Sequence, residues 1–411
     1  MTRDGKRPKS YKKTDIPKTI HIEKGVIYFQ DLVQSSDNIM EENDYYAVRR
    51  PISIGIDASL IIKNIEKPIY LMQDEGAFIA YTGQLFILNS TILGWNEKIQ
   101  KPATLNEDYK NFRPFITAWN GSQTFFANSH FKHLGYNAPK SYGTTLSTQP
   151  FIEEMLNEDN LKAPEGQILN SSFEDFYFGF YSHEADNVVI IGNDYRDNII
   201  YAIDPHDWSK NLIIAQNRVS GTKIKHGIIL SRHVTDSYVL NNIVTHNVGS
   251  GIMLDRQSGN NVIAHNQIEF NQGDGITLYE SSDNFLLSNV IKNNRVGVRI
   301  RNSQNNIIAG GEVSLNSHQA FMIYKDDLKN TNRDFKKDIF IEQVSVKISD
   351  IVTESNLSLM KTNGFDEIAL SNINWRKSSL KKDYFQGDIR QFEKQITKAL
   401  EENNSIQLKS N

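Results

Sequence analysis

Polar and apolar positions recur along the middle of the chain with a period near 23 residues. Asparagines stand at Asn193, Asn217, Asn242, Asn266 and Asn289, and Gly311 continues the column in steps of 24, 25, 24, 23 and 22 residues. Asn170 extends it backwards by another 23. A second column, Gly227, Gly251, Gly275, Gly297 and then Ala320, keeps step with the first. Short apolar runs follow its glycines: Ile228-Ile229-Leu230, Ile252-Met253-Leu254, Ile276-Thr277-Leu278 and Val298-Arg299-Ile300. Each unit therefore holds two or three short, β-branched strands separated by polar turns. Strands this short cannot pair within their own unit without hairpin signals, and the usual ones are missing. Stacking each unit on the next lets every strand pair in parallel with its counterpart, with asparagine side chains bonded up and down a ladder. A leucine-rich repeat has a similar length, but its spaced leucines and helical segment are missing. The expected fold is all-β, a right-handed parallel β-helix.

Less regular rungs lie on either side. Residues 86–95, 124–136 and 168–183 share an Asn-Ser core at Asn89, Asn128 and Asn170, and the wider gaps predict loop insertions at 96–113 and 140–165 that could wall a groove. Residues 340–350, 357–363 and 367–375 read as final rungs after a charged loop at 325–337. The period thus predicts one solenoid over 21–385. A helix near 388–402 has Asp388 as N-cap and Ile389, Phe392, Ile396 and Leu400 on one face, suited to covering the exposed last rung. Residues 1–20 read as a solvated basic tail, and 386–411 as the capping helix and a tail.

Composition narrows the classes. An apolar content of 39% marks a folded chain, and a net charge of −4 points to no nucleic-acid partner. Without cysteine, disulfides and thiolate metal sites are excluded. No apolar run is long enough to span a membrane, and the first residues, MTRDGKRPKSYKK, lack the apolar core of a secretory signal. No required metal or cofactor is expected.

Aligned by period, the strand ends form columns. His183, His206, His233 and Gln257 fall in one; Ser182, Pro205, Arg232 and Arg256 in the next; Tyr181, Asp204, Ser231 and Asp255 in a third. Rungs about 4.8 Å apart would then gather Asp204, His206, Arg232 and Arg256 within one saccharide-sized patch. Residues 210–232 carry Lys210, Arg218, Lys223, Lys225 and Arg232 with no acid between them. Such a run could attract a polyanion, although charge on solenoid turns is also ordinary solubilising charge. In Asp204-Pro205-His206-Asp207, proline restricts the backbone and flanking carboxylates can orient an imidazole base. Tyr201 is expected to end the strand feeding that turn.

These segments resemble a known family, the periplasmic mannuronan C-5 epimerases of alginate biosynthesis. YAIDPHDWS (201–209) resembles the family's Tyr-Gly-x-Asp-Pro-His-Asp signature, with Ala202 in place of the glycine, and residues 221–232, 254–258 and 274–281 resemble its following rungs. The similarity runs over about residues 50–325 and includes residues 134–143 and 179–204. It implies a periplasmic isomerase acting on polymannuronate, possible company of other alginate secretion proteins, and no membrane insertion. It assigns His206 as the base that removes the C-5 proton and Arg232 as the group that neutralises the substrate carboxylate. Asp204 and Asp207 would tune His206, and water or Tyr201 would return the proton. Lys223, Lys225 and Arg256 would hold neighbouring carboxylates, with Asp255, His226, His233 and His183 lining the groove. A polyuronate lyase would need the same base and neutraliser, and a noncatalytic binding solenoid would share the fold. A glycosidase fits less well for want of an obvious acidic pair.

Overall fold

A computed structural model describes residues 19–149, 162–331, 333–336, 338–376 and 384–409. The expected tail lies outside these residues but for its last two. The chain divides into two compact units, residues 1–205 and 206–411.

In the first unit the rungs are three-stranded. Gln84–Leu88, Gln123–Ala127, Glu165–Leu169 and Val188–Ile191 pair in parallel order as one sheet. Thr91–Asn96, His130–Lys132, Ser172–Glu174 and Asp194–Arg196 form a second. Ile79–Tyr81, Ile116–Ala118, Gly143–Ser147 and Phe178–His183 form the third, so part of the expected 140–165 insertion is a rung strand. Rings stack through the interior at the rung spacing, Phe131 on Phe173 with centroids 4.9 Å apart and Phe173 on Tyr195 at 4.7 Å. The start of the unit is irregular. A helix, Phe29–Ser35, buries Phe29 and Leu32 against the first strands, and Ile39–Glu41 pairs antiparallel with Tyr46–Val48. Both devices blunt an exposed edge, and neither carries the repeat that would have announced it.

The second unit repeats the three sheets. Ile228–Ser231, Ile252–Asp255, Ile276–Tyr279, Val298–Arg301, Gln319–Tyr324 and Ser358–Asn363 run parallel in one of them. Its glycine column, Gly227 to Gly297 and then Ala320, lies in register as expected. The cause is close approach: a Cβ on Gly251 would come 2.4 Å from Ile268 Cγ2, and one on Gly275 2.2 Å from Ile291 Cγ2. At the end of the chain the helix is shorter than expected. A 3-10 turn, Asp388–Phe392, precedes the α-helix Glu393–Glu401, and the Asp388 carboxylate accepts from the backbone of Gly364 instead of capping the helix. Ile389, Ile396 and Leu400 are buried, and the helix packs on the strand Glu367–Arg376. Within the stretch expected as a tail, Ile406–Lys409 adds an antiparallel strand to the same edge.

The asparagine column is a hydrogen-bonded ladder. Asn242 Oδ1 accepts from Asn217 N at 2.9 Å, Asn266 Oδ1 from Asn242 N at 2.9 Å, and Asn289 Oδ1 from Asn266 N at 3.0 Å. Each Nδ2 donates to the next Oδ1 at 3.0 Å. The other two corners carry ladders that the period search passed over. One joins Asn247, Asn271, Asn294, Asn316 and Asn356; the other joins Asn261, Asn284 and Asn306. Asn170 does not belong to the column. Ser171 stands opposite Asn193, donating its backbone N–H to Asn193 Oδ1 at 2.9 Å, and Ser129 and Ser90 continue the line downwards. Asn89, Asn128 and Asn170 sit one place earlier with φ of 48°, 49° and 46°, where they form the left-handed step of the turn.

Two asparagines should therefore respond differently to substitution. Asn266→Ala strands the buried N–H of Asn242 and the carbonyl of Val239, to which Asn266 Nδ2 donates. It should cost about 3 kcal/mol or more. Asn170→Gly at an exposed left-handed turn should change stability by less than about 0.5 kcal/mol. Urea unfolding of the two variants beside the parent reads both.

Candidate active site

The strand Tyr201–His206 runs through the Asp-Pro-His segment, so Tyr201 opens the strand, and His206 ends it. The corner that follows is unusual. Asp207 and Trp208 have φ of 40° and 57°, Arg232 and His233 65° and 59°, and Arg256 and Gln257 53° and 63°. Pairs of non-glycine residues in the left-handed region cost about 1–3 kcal/mol per residue and persist only where the surroundings hold them. Here the next rung does so. Asp207 N and Trp208 N donate to Ser231 O and Arg232 O, each at 3.0 Å, and Arg232 N and His233 N to Asp255 O and Arg256 O, at 2.8 and 2.9 Å.

This pattern corrects the expected columns. His206 lies beside Ser231 and not His233; Asp207 lies beside Arg232; His233 stacks on Trp208 with ring centroids 5.1 Å apart. The column carrying charge is thus Asp207, Arg232, Arg256 and Glu280 on successive rungs, with His206, Ser231, Asp255, Tyr279 and Arg301 beside it. The shift arises because the loops before these corners differ by a residue or two, which a gap-free alignment of strand ends cannot see.

The side chains form one ionic network. His206 Nδ1 lies 2.8 Å from Asp207 Oδ2, and Asp207 Oδ1 lies 3.2 Å from Arg232 Nη1. The remaining edge of Arg232 is taken by Asp338, through Nε–Oδ1 at 2.7 Å and Nη2–Oδ2 at 2.9 Å. Arg256 Nε lies 3.2 Å from Asp255, and Arg333 joins Asp255 to Glu280. Arg301 pairs with Glu280 at 2.8 Å and lies 3.8 Å above the ring of Tyr279. Burial pushes the Asp255 carboxyl up, against the pull of Arg256. Burial would raise Asp338 as well, but the hydrogen bond from Arg232, with Arg256 and Arg333 nearby, carries it below its usual value.

Asp338, Arg333, Glu280, Arg301 and Trp208 were not among the residues expected. Glu280 and Arg301 were within reach, since they occupy the same columns one and two rungs on. Asp338 was not, because it reaches Arg232 across 106 residues from the charged loop.

The other expected residues are spread out. Asp204 is buried in the first unit, Tyr201 packs edge-on to Phe178 with centroids 5.1 Å apart, and His183 lies beside Ser147. Lys223 and Lys225 are exposed in the turn before Ile228–Ser231, at the opposite end of that strand from Arg232. Lys210 bridges to Thr235 and Arg218 opens a strand of another sheet, so the acid-free run does not form one patch. Among the described residues no group of three or more His, Cys, Asp or Glu could hold a metal ion, and no helix is long and apolar enough to cross a membrane.

Parallel strands stacked rung on rung define a β-helix, and a right handed beta helix region matches residues 119–313 and 229–357. A mannuronan C5-epimerase of Pseudomonas aeruginosa is 43% identical over 345 residues, covering 80% of this chain and 61% of its own length. The mannuronan C5-epimerase AlgG of Azotobacter vinelandii is 41% identical over 335 residues, covering 80% and 63%. The crystal structure of the periplasmic alginate epimerase AlgG superimposes with a TM-score of 0.83 at 37% identity, over 88% of this chain and 86% of that one. The chain belongs to the mannuronan C5-epimerase family, and it spans 61–63% of the length of these two curated relatives.

His226 belongs to a different environment from His206. Its Nδ1 accepts from Ser250 N at 2.9 Å, which requires the neutral ring at that atom. Burial and the neighbouring Lys225 push its pKa down to about 4, with Asp274 opposing. The unfolded chain takes up this proton near pH 6.5, the folded one only near 4, so the unfolded state binds more protons between them. Stability should fall by about 2 kcal/mol as pH drops through that window, allowing for partial exposure. His226→Gln should flatten this part of the stability–pH curve measured by urea unfolding.

Proposed function

We propose that this protein is a mannuronan C-5 epimerase, converting β-D-mannuronate to α-L-guluronate within the polymer, and that it works in the periplasm alongside other proteins of alginate secretion. The observation that carries this reading is the line His206, Asp207, Arg232 at one corner, within a chain of this family. The C-5 proton is hard to remove because the adjacent carboxylate opposes a second negative charge. A guanidinium on that carboxylate offsets the charge as it develops, and its planar fork matches the two oxygens. Arg232 takes this role. His206 takes the proton, and the Asp207 carboxylate 2.8 Å from its Nδ1 stabilises the imidazolium that forms. A proton then returns to the opposite face of C-5, from water or from Tyr201. The centre inverts, the bond to O-4 stays intact and no redox partner is needed. Lys223, Lys225 and Arg256 hold carboxylates of neighbouring sugars, and Asp255 and His233 flank Arg232 at its corner.

His206 and Arg232 should fail differently. His206→Ala should lower incorporation of deuterium at C-5 by about 10²–10⁴-fold while polymer binding stays close to the parent's. Arg232→Ala should lose turnover by about 10²–10³-fold and bind more weakly, and Arg232→Lys should recover only part of the turnover. Proton NMR of polymannuronate in deuterated water, with binding measured on the same variants, reads both. Exchange at the parent rate in His206→Ala would remove His206 as the base. A separate measurement addresses the lysines: affinity should fall steeply with added salt, and replacing Lys223 and Lys225 with Ala should weaken binding several-fold. Unchanged affinity would make them plain surface charge.

A further inference from the structure

We infer that Asp338 is a built-in stand-in for the substrate carboxylate, occupying the fork of Arg232 until a uronate displaces it. The inference rests on the reading of Arg232 as the carboxylate-binding group. Asp338 meets Arg232 through two parallel hydrogen bonds, at 2.7 and 2.9 Å, which is the side-on pairing a uronate would need to make with the same guanidinium. Both cannot hold that edge together.

Asp338 is not part of the rung framework. It lies between the strands Gln319–Tyr324 and Ser345–Glu354, where Asp338 N donates to Asp334 O and Gln257 reaches the carbonyl of Ile339. Arg232 is already oriented without it: the backbone of its corner is bonded to the next rung, and Asp207 holds Nη1 from the rung before. A second carboxylate is more than positioning requires.

Charge leads to the same conclusion. Arg232, Arg256, Arg301 and Arg333 face the carboxylates of Asp207, Asp255, Glu280 and Asp338, and the more exposed Asp326 lies 3.6 Å from Arg301. The arginines are already matched, so an added uronate would be an uncompensated negative charge in a partly buried place. Exchanging it for Asp338 leaves the net charge unchanged. The Asp338 side chain is 4% exposed and its carboxyl is held charged by the arginines, so exchange of one carboxylate for another, and not protonation, is the route of release. A neutral glycan cannot make that exchange. A polyuronate can, drawing on contacts at its other sugars.

The displaced carboxylate lowers apparent affinity by the fraction of time the fork is open. Asp338→Asn and Asp338→Ala in the full chain should therefore lower the half-saturating concentration of polymannuronate, about tenfold if the fork is open roughly a tenth of the time. Turnover at saturation should stay within about threefold. The measurements are C-5 deuterium incorporation over a range of polymer concentrations and calorimetric titration with the same polymer, after thermal unfolding has verified that each variant is folded. If Asp338 instead serves to position Arg232, both variants raise the half-saturating concentration or lose turnover, and the inference is overturned. Variants indistinguishable from an active parent overturn it too, leaving the epimerase reading in place. A parent that neither binds nor exchanges polymannuronate overturns both.

Discussion

The structure depends on one constraint: every backbone group at a turn must find its partner on the neighbouring rung. The strands are only three to six residues long at most positions, too short to close on themselves, so no rung is satisfied alone. Asparagine meets the demand at the corners because one carboxamide can accept from the backbone below, donate to the amide above and still reach a carbonyl. Serine does the same work in the first unit with a single oxygen. Where the wall must pass close to an isoleucine of the adjoining sheet, only glycine leaves room.

The candidate site uses that register for chemistry. Because rungs stack one strand spacing apart, any residue at the corner after Ile228–Ser231 is placed directly against its counterparts on either side. Asp207 and Glu280 bracket the adjacent arginines Arg232 and Arg256, which Asp338 and Asp255 also pair, and this holds long side chains in defined positions at little further entropic cost. The left-handed backbone of these corners is unfavourable for arginine, histidine and tryptophan taken singly. It is maintained by the same inter-rung hydrogen bonds that build the fold. Rigidity at the candidate site thus derives from the solenoid itself.

The ends obey the same rule by other means. A helix and an antiparallel pair begin the first unit, and a helix and an antiparallel strand close the second. Each lies against strand edges that no parallel rung among the described residues covers.

What the sequence by itself determined is whatever repeats. Asn217 to Asn289 and Gly227 to Ala320 each recur because one local demand recurs, so the parallel stack, its core and the nearness of His206 to Arg232 could be read from spacing and motif. What only the tertiary structure decided is whatever the period does not contain. Asn170 has the spacing of a ladder residue but lies one place away, since a serine can fill the same hydrogen-bonding role and period alone does not distinguish the two. His206 proved to lie beside Ser231 and not His233, because register is set by hydrogen bonds around each corner and one residue more or less in a turn is silent in a column of letters. Asp338 left no trace at all. It comes from a segment outside the repeat and meets Arg232 across 106 residues, a contact that exists only because the chain folds back over its own rungs.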